Sequence, residues 1–221
     1  MNCIMGSDTC YLIARFNEDV SWTNELGTNR MILNKGRELE PMRVGMGTVV
    51  KMENVGRESE SYLRYVLENY ESLPGVIVFS QGDISDHSVY GTKDNDPTKL
   101  RRTGQEAREN GWSLNFVVTN NLDVHSGTCH SWNFREHFHY WFEPNSYETK
   151  VFFGDWFEDT FGIPLPSLMP VFWAGIFAIR RDKVHAHPKA FYEALLAQLQ
   201  WSCNPIQGHF FERSWWYVFC E

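Results

Sequence analysis

The sequence predicts an α/β sandwich with a mostly parallel central sheet. Short apolar runs typical of buried strands alternate along the chain with segments whose apolar residues have helical spacing. The clearest example is a helix predicted over residues 58–73, which the apolar strand 76–80 follows at once. Pro74-Gly75 stands between them, as expected where a helix ends. Such alternation favours parallel strands joined by helical crossovers.

The other predicted elements continue this pattern on both sides of that pair. Residues 83–145 are harder to assign. We predict a single domain of residues 1–221, in which 88–145 is a loop-rich insertion. The insertion is expected to pack against the domain, because its Trp and Phe side chains would not be left in water. Strands are predicted at 11–16, 30–34, 48–52 and 172–180, with a short apolar stretch at 116–118, and helices at about 99–110, from Pro188 onward and over 209–219.

Composition limits the classes of function. A chain of 221 residues that is 43% apolar can bury one sizeable core. The aromatic share of 15% indicates either a bulky core or a groove with stacking surfaces. The net charge of −8 argues against a nucleic-acid-binding protein that neutralises phosphates.

Cysteine usage and apolar runs predict a cytoplasmic protein without a membrane span. The five cysteines form no C-x-x-C pair, and their odd number cannot be fully paired within one chain, which favours a reducing compartment. The first ten residues lack the basic and apolar regions of a secretory signal. The longest apolar run, 171–179, is about half the ~20 residues of a spanning helix.

Polar residues follow three of the predicted strands directly. They lie at 15–19, 34–36 and 81–87. In parallel sheets ligands bind beyond the carboxyl ends of the strands, so these three groups are predicted to line one crevice.

Six blocks of the sequence stand in a fixed order: ARFNEDVSW (14–22), ILNKG (32–36), NVGRESESYLRYVLENYESLPG (54–75), VFSQGDISDH (78–87), FWAGIFAIRRDKV (172–184) and HFFERSWWYVF (209–219). As an ordered set they resemble a family of proteins of unknown function that is regarded as related to GT-A-type glycosyltransferases. The resemblance implies a GT-A-like, Rossmann-type three-layer sandwich that binds a nucleotide-sugar donor and transfers its sugar to a glycan or protein acceptor.

The resemblance also implies a divalent metal on the donor diphosphate, since a leaving nucleoside diphosphate gathers negative charge. Asp86 and His87 match the family's DH pair, whereas Asp83 makes the spacing D-x-x-D-H rather than D-x-D. Carboxylates suit Mg²⁺ or Mn²⁺, and a histidine shifts the preference toward Mn²⁺. His209 is the candidate that would complete the metal shell. The structural alternatives are a polar turn at 82–87 and an aromatic core segment in which Glu212 and Arg213 pair locally.

Donor contacts are implied for the residues after the first strand, which in GT-A folds meet the base and ribose. The alternative is that 17–19 simply starts a helix bearing Trp22 and Leu26. Arg57 could equally form a structural ion pair with Glu58, and a lone lysine in a loop is usually only solvated. The donor-binding candidates are Arg15, Asn17, Glu18, Asp19, Lys35, Arg57 and Gln81.

Acceptor binding and general-base catalysis have candidates in the second half of the chain. Sugar-stacking platforms are predicted at Trp132, Tyr140 and Trp141, although packing beneath a long loop explains them equally well. The base that deprotonates an acceptor hydroxyl is sought among Asp155, Glu158 and Asp159, which otherwise are ordinary surface acids. The histidines at 125, 130, 137 and 139 lack the H-E-x-x-H spacing of a zinc site.

The function predicted from these residues is that of a metal-dependent glycosyltransferase. Two alternatives stay open: a non-catalytic carbohydrate-binding protein on the same fold, and a metal-dependent phosphoester hydrolase that uses the same carboxylates with a water nucleophile.

Overall fold

The computed structural model describes residues 8–40, 45–85, 94–113, 128–130, 153–166, 168–170, 172 and 175–220. The strands are β1 (Thr9–Arg15), β2 (Arg30–Asn34), β3 (Thr48–Lys51), β4 (Val76–Gln81), β5 (Thr128–His130), β6 (Leu168–Pro170) and β7 (Phe177–Arg180). The helices are α1 (Arg57–Glu68), α2 (Pro97–Asn110), α3 (Phe153–Phe161), α4 (Arg181–Val184), α5 (Lys189–Ala197) and α6 (Ile206–Phe219), with 3-10 segments at Ser21–Asn29 and Tyr70–Ser72.

Five strands form the central sheet in the order β3-β2-β1-β4-β7. Neighbours among the first four are parallel, and β7 runs antiparallel to β4. Leu12 in the central strand β1 lies between Met31 of β2 and Phe79 of β4. A separate antiparallel pair joins β5 to β6. The predicted α/β class with a mostly parallel sheet is therefore confirmed.

Helices cover both faces of the sheet because apolar residues point to each face in turn. Leu12 belongs to the larger core cluster, which contains residues of α1, α3, α5 and α6. Its neighbour Ile13 belongs to a smaller cluster with Leu26 of the first 3-10 segment and Leu100 of α2. Since strand residues alternate between faces, both clusters follow from near-continuous apolar strands.

Aromatic rings account for much of the larger cluster. The rings of Phe79 and Phe177 are stacked with centroids 4.7 Å apart, and Trp215 lies 5.5 Å from Phe177. The high aromatic content predicted either a bulky core or a groove with stacking surfaces, and these three residues belong to a bulky core. Phe16, by contrast, is 49% exposed at the end of β1.

Several predicted boundaries differ from those in the structure. The helix predicted over 58–73 ends at Glu68 and continues as the short 3-10 turn. Among the described residues of the strand predicted over 172–180, the strand runs from Phe177 to Arg180, and Gly175 just before it has a left-handed backbone (φ 63°) that an extended strand does not contain. Residues 97–110, inside the predicted insertion, form α2, whose Leu100 and Ala107 are buried in the smaller core cluster. The short stretch predicted at 116–118 lies outside the described residues.

The cysteines do not all fit the reducing compartment predicted from their number. Cys10, buried on β1, is disulfide-bonded, whereas Cys203 and Cys220 are free. Disulfides persist mainly in oxidising compartments, so this bond argues against the prediction. None of the helices within the described ranges has both the length and the apolar character that a membrane crossing requires.

Candidate functional site

A cavity of about 480 Å³ opens at the carboxyl ends of the parallel strands. The strands β2 and β3 lie on one side of β1, and β4 lies on the other, so the gap between β1 and β4 is the topological switch point where open α/β sheets bind ligands. The structure brings described residues from each of the three polar groups together there. The cavity is lined by Ala14, Arg15, Phe16, Glu18, Lys35, Asn54, Arg57, Glu58, Ser61, Gln81, Gly82, Asp83 and Cys203.

Arg15 joins the loops that follow β1 and β2. Its guanidinium donates to Asn34 Oδ1 at 2.7 Å, to Arg37 O at 2.9 Å and to Glu18 O at 2.8 Å. The residue is 8% exposed. Arg15 thus lines the cavity as predicted, while most of these hydrogen bonds serve to hold the loops in place.

The same two loops touch at Gly36. A Cβ atom built there would lie 1.1 Å from the carbonyl oxygen of Phe16, so a larger residue cannot occupy this position without moving the backbone. The glycine of the NKG block is therefore explained by close approach of the two loops.

Lys35 lies in the wall of the cavity with its ammonium group already bonded. Nζ forms an ion pair with Glu60 Oε2 at 2.7 Å and donates to the carbonyl oxygens of Arg57, at 2.6 Å, and Val55. The side chains of Lys35 and Glu60 are 5% and 1% exposed. Burial lowers the pKa of Lys35, and the Glu60 carboxylate opposes that shift. Three acceptors for three N–H groups indicate a structural role for this predicted donor contact.

Arg57 occupies the first position of α1 with a left-handed backbone (φ 54°), which is uncommon for a residue with a side chain. Its Nη1 lies 2.8 Å from Nδ1 and 2.6 Å from Nε2 of His209. Its Nε is 3.4 Å from Glu58 Oε2, so the predicted ion pair is present. The Arg57 side chain is 32% exposed and lines the cavity.

His209 is buried at the start of α6, and the residues lining the cavity do not include it. Burial, followed by the positive charges of Arg57 and Arg213, lowers the pKa of its imidazole to about 2. A cationic guanidinium against the ring also opposes the binding of a metal cation at that ring. The local pair predicted as the alternative is present, since Arg213 Nη1 donates to Glu212 Oε2 at 2.6 Å.

The lowered pKa of His209 predicts a pH-dependent stability. In the unfolded chain the pKa of a histidine is about 6.5, so as the pH falls the unfolded chain takes up a proton at His209 before the folded chain does. Below about pH 6.5 the free energy of unfolding therefore decreases by up to about 1.4 kcal/mol per pH unit. His209→Gln is expected to remove this contribution. Urea unfolding between about pH 7 and pH 5 measures it as a shallower slope in the variant. Equal slopes in the two proteins would contradict the expectation.

Asp83 follows β4 and lines the cavity in an exposed position. Its Oδ1 accepts hydrogen bonds from the backbone N–H of Ser85 at 2.9 Å and from the Ser85 hydroxyl at 2.7 Å, which is the geometry of the predicted polar turn. Asp86 and His87 lie outside the described residues. Within the described ranges, no group of three or more His, Cys, Asp or Glu residues is placed to hold a metal ion.

The other donor candidates divide between the cavity and the loop surface. Glu18 and Gln81 line the cavity. Asn17 and Asp19 are exposed and are not among its lining residues: Asn17 Oδ1 accepts from the N–H of Arg37 at 3.0 Å, and Asp19 Oδ1 accepts from that of Ser21 at 3.0 Å. Asp19 therefore stands at the start of the 3-10 segment, as the structural alternative predicted.

A comparison with protein-family models identifies the chain. A model described as "Protein of unknown function (DUF3431)" matches residues 12–221. The chain belongs to this family. Every residue that lines the cavity lies within the matched range. Neither the curated proteins nor the solved structures contain a match to the chain.

The predicted general bases lie elsewhere in this member of the family. All three are exposed on α3, whose buried Phe153, Trp156 and Phe157 pack in the larger core cluster. The residues lining the cavity do not include Asp155, Glu158 or Asp159. Trp132, Tyr140 and Trp141 lie outside the described residues.

Residues around the start of α1 were missed as site candidates. Asn54, Glu58 and Ser61 line the cavity because the edge strand β3 is also parallel to its neighbour β2, so the chain leaves β3 at the same edge of the sheet. Applying the carboxyl-end rule to β3 as well as β1, β2 and β4 would have selected Asn54, whereas Glu58 and Ser61 lie farther along the chain, on α1. Cys203 also lines the cavity, but it lies between α5 and α6 and follows no strand, so the carboxyl-end rule does not select it.

A second cavity, of about 380 Å³, lies between α1 and the strands β2 and β3. Its lining includes Leu33, Val50, Tyr65 and Glu68. This second cavity does not lie at the switch point, so residues beside it serve as controls for ligand binding at the first cavity.

Proposed function

We propose that the cavity at the switch point binds a nucleotide-sugar donor, and that the protein is a metal-dependent glycosyltransferase acting on a glycan or protein acceptor. The observation that carries this proposal is the position of the cavity between the carboxyl ends of β1 and β4. Its volume lies within the range of about 300–1,000 Å³ that small-molecule sites occupy.

The charges in the cavity favour metal dependence. The lining includes the cations Arg15, Lys35 and Arg57 and the carboxylates Glu18, Glu58 and Asp83. Arg15 and Lys35 already bond to protein acceptors, and Arg57 faces Glu58. The protein therefore offers little positive charge to a diphosphate, and a divalent cation would have to supply it.

Asp83, together with Asp86 and His87, would hold Mn²⁺ or Mg²⁺. The exposed carboxylate of Asp83 at the cavity fits a hard cation, since carboxylates are preferred ligands of both metals. Bound there, the metal would stabilise negative charge on the leaving diphosphate. Arg57 would add a cationic contact, and Gln81 an amide.

A calorimetric titration tests this function. Metal-stripped protein is titrated with uridine and guanosine diphosphates and their sugar conjugates, with and without Mn²⁺. Binding is expected only with the metal, and Asp83→Ala or Asp86→Ala is expected to weaken it about 10- to 100-fold, because each removes a charged contact.

The control for the titration is Glu68→Gln, which changes an exposed carboxylate at the second cavity and is expected to keep wild-type affinity. Failure of every nucleotide to bind in the presence of Mn²⁺ would overturn the proposal.

A non-catalytic carbohydrate-binding protein is the second candidate. It is favoured by the exposure of Asp155, Glu158 and Asp159 outside the cavity. Nucleotide release that depends on an acceptor distinguishes the transferase from this alternative.

A further inference from the structure

Ser61 lies in the wall of the cavity with a buried hydroxyl group that has no bonding partner among the described residues. The residue is 0% exposed, and its Oγ forms no hydrogen bond there. A serine within a helix commonly donates to the carbonyl four residues earlier. Here that carbonyl belongs to Arg57 and accepts from Lys35 Nζ at 2.6 Å. A buried polar atom without a partner is costly, and a ligand in the cavity would supply the partner.

Glu58 presents a carboxylate beside this hydroxyl. It precedes Ser61 by three residues on α1, so the two share one face of the helix, and both line the cavity. The Glu58 side chain is 11% exposed, and its contact with Arg57, at 3.4 Å, is long for a hydrogen bond. The carboxylate therefore keeps lone pairs that can accept from a ligand.

These groups suit sugar hydroxyls better than phosphate. A hydroxyl such as that of Ser61 both donates and accepts, and a carboxylate only accepts, which together match the hydroxyl groups of a sugar. Phosphate oxygens would be repelled by Glu58. Asn54, which also lines the cavity, adds an amide that donates and accepts.

We propose that Ser61 and Glu58 form the subsite that binds the hydroxyl groups of the donor's sugar. This proposal rests on the proposed function and adds to it a division of the cavity: the diphosphate lies at the Asp83 side, and the sugar lies against the start of α1.

The test compares Ser61→Ala with Ser214→Ala. Ser214, on α6, is also 0% exposed, its Oγ also has no partner among the described residues, and the lining of the cavity does not include it. Each substitution removes one buried unsatisfied hydroxyl from a helix, so neither is expected to lower the melting temperature. The pair therefore separates loss of binding from loss of stability.

Both variants and the wild type are titrated, with Mn²⁺, with uridine and guanosine diphosphates and with their glucose, N-acetylglucosamine and mannose conjugates. Ser61→Ala is expected to weaken binding of the preferred conjugate about 3- to 10-fold, while the affinity for the bare diphosphate stays within about twofold. Ser214→Ala is expected to bind both as the wild type does. Glu58→Gln should also weaken the conjugate selectively, because an amide offers fewer acceptor sites.

Unchanged affinity of Ser61→Ala for the conjugate would overturn the subsite while leaving the proposed function intact. An equal loss for conjugate and bare diphosphate would overturn it too, because Ser61 would then contact the nucleotide. Failure of the wild type to bind any nucleotide would instead reject the proposed function and, with it, the subsite that rests on it.

Discussion

Gly36→Ala is expected to lose about 3 kcal/mol of the free energy of unfolding, or to fail to fold. The added Cβ atom would lie 1.1 Å from the carbonyl oxygen of Phe16, which belongs to the backbone and cannot rotate away. The loop after β1 must therefore move away from the loop after β2. Because these loops line the cavity, the proposed binding of a nucleotide-sugar donor should be lost in any variant that remains folded.

Gly75→Ala is the matched control for that substitution. Its Cβ would also make a close contact, 1.7 Å from Asp8 Oδ1, but the neighbour is the end of an exposed side chain that can rotate. Neither glycine has a positive φ, so the two variants differ in what the methyl group meets. Urea unfolding should show a much smaller loss at Gly75, and equal losses would contradict the role assigned to Gly36.

Lys35→Met is expected to cost about 3 kcal/mol of stability, since removing one cation from a buried carboxylate leaves that charge less well compensated. The variant would leave the Glu60 carboxylate, which is 1% exposed, in its ion pair with Arg64, whose Nε lies 2.5 Å from Oε1. It would also deprive the carbonyls of Val55 and Arg57 of a donor. Denaturant unfolding at neutral pH measures the loss.

Two further variants make this result interpretable. Adding Glu60→Gln to Lys35→Met removes the buried charge and should recover part of the lost stability. Arg108→Ala breaks an exposed pair with Asp8 and should cost less than about 1 kcal/mol. A loss at Lys35 no larger than that at Arg108 would show that Lys35 does not have the structural role described.

The fold class and the position of the cavity could be predicted from the sequence. The apolar run that forms β4 and the helical spacing of α1 are local patterns, and the carboxyl-end rule converts them into a place for the site. Arg15, Lys35 and Gln81 were expected at one crevice for this reason, and all three line it.

The roles of individual charged residues could not be predicted in the same way. Whether Lys35 contacts a ligand depends on Glu60, which lies on a different element and meets it only in the folded chain. His209 is a similar case, because burial in the folded chain, followed by the charge of Arg57 from a distant part of the sequence, lowers the pKa of its imidazole. The break at Gly175 depends on a backbone angle that apolar composition does not reveal.

Hydrogen exchange of the backbone amides, with and without Mn²⁺ and the best-bound nucleotide sugar from the titration, shows where on the sheet the ligand binds. The expected result is slower exchange in segments 15–18, 54–58 and 81–85 at the switch-point cavity, and unchanged exchange at residues 64–69 beside the second cavity. Saturating ligand that protects 64–69 and leaves 15–18 and 81–85 unchanged would contradict it.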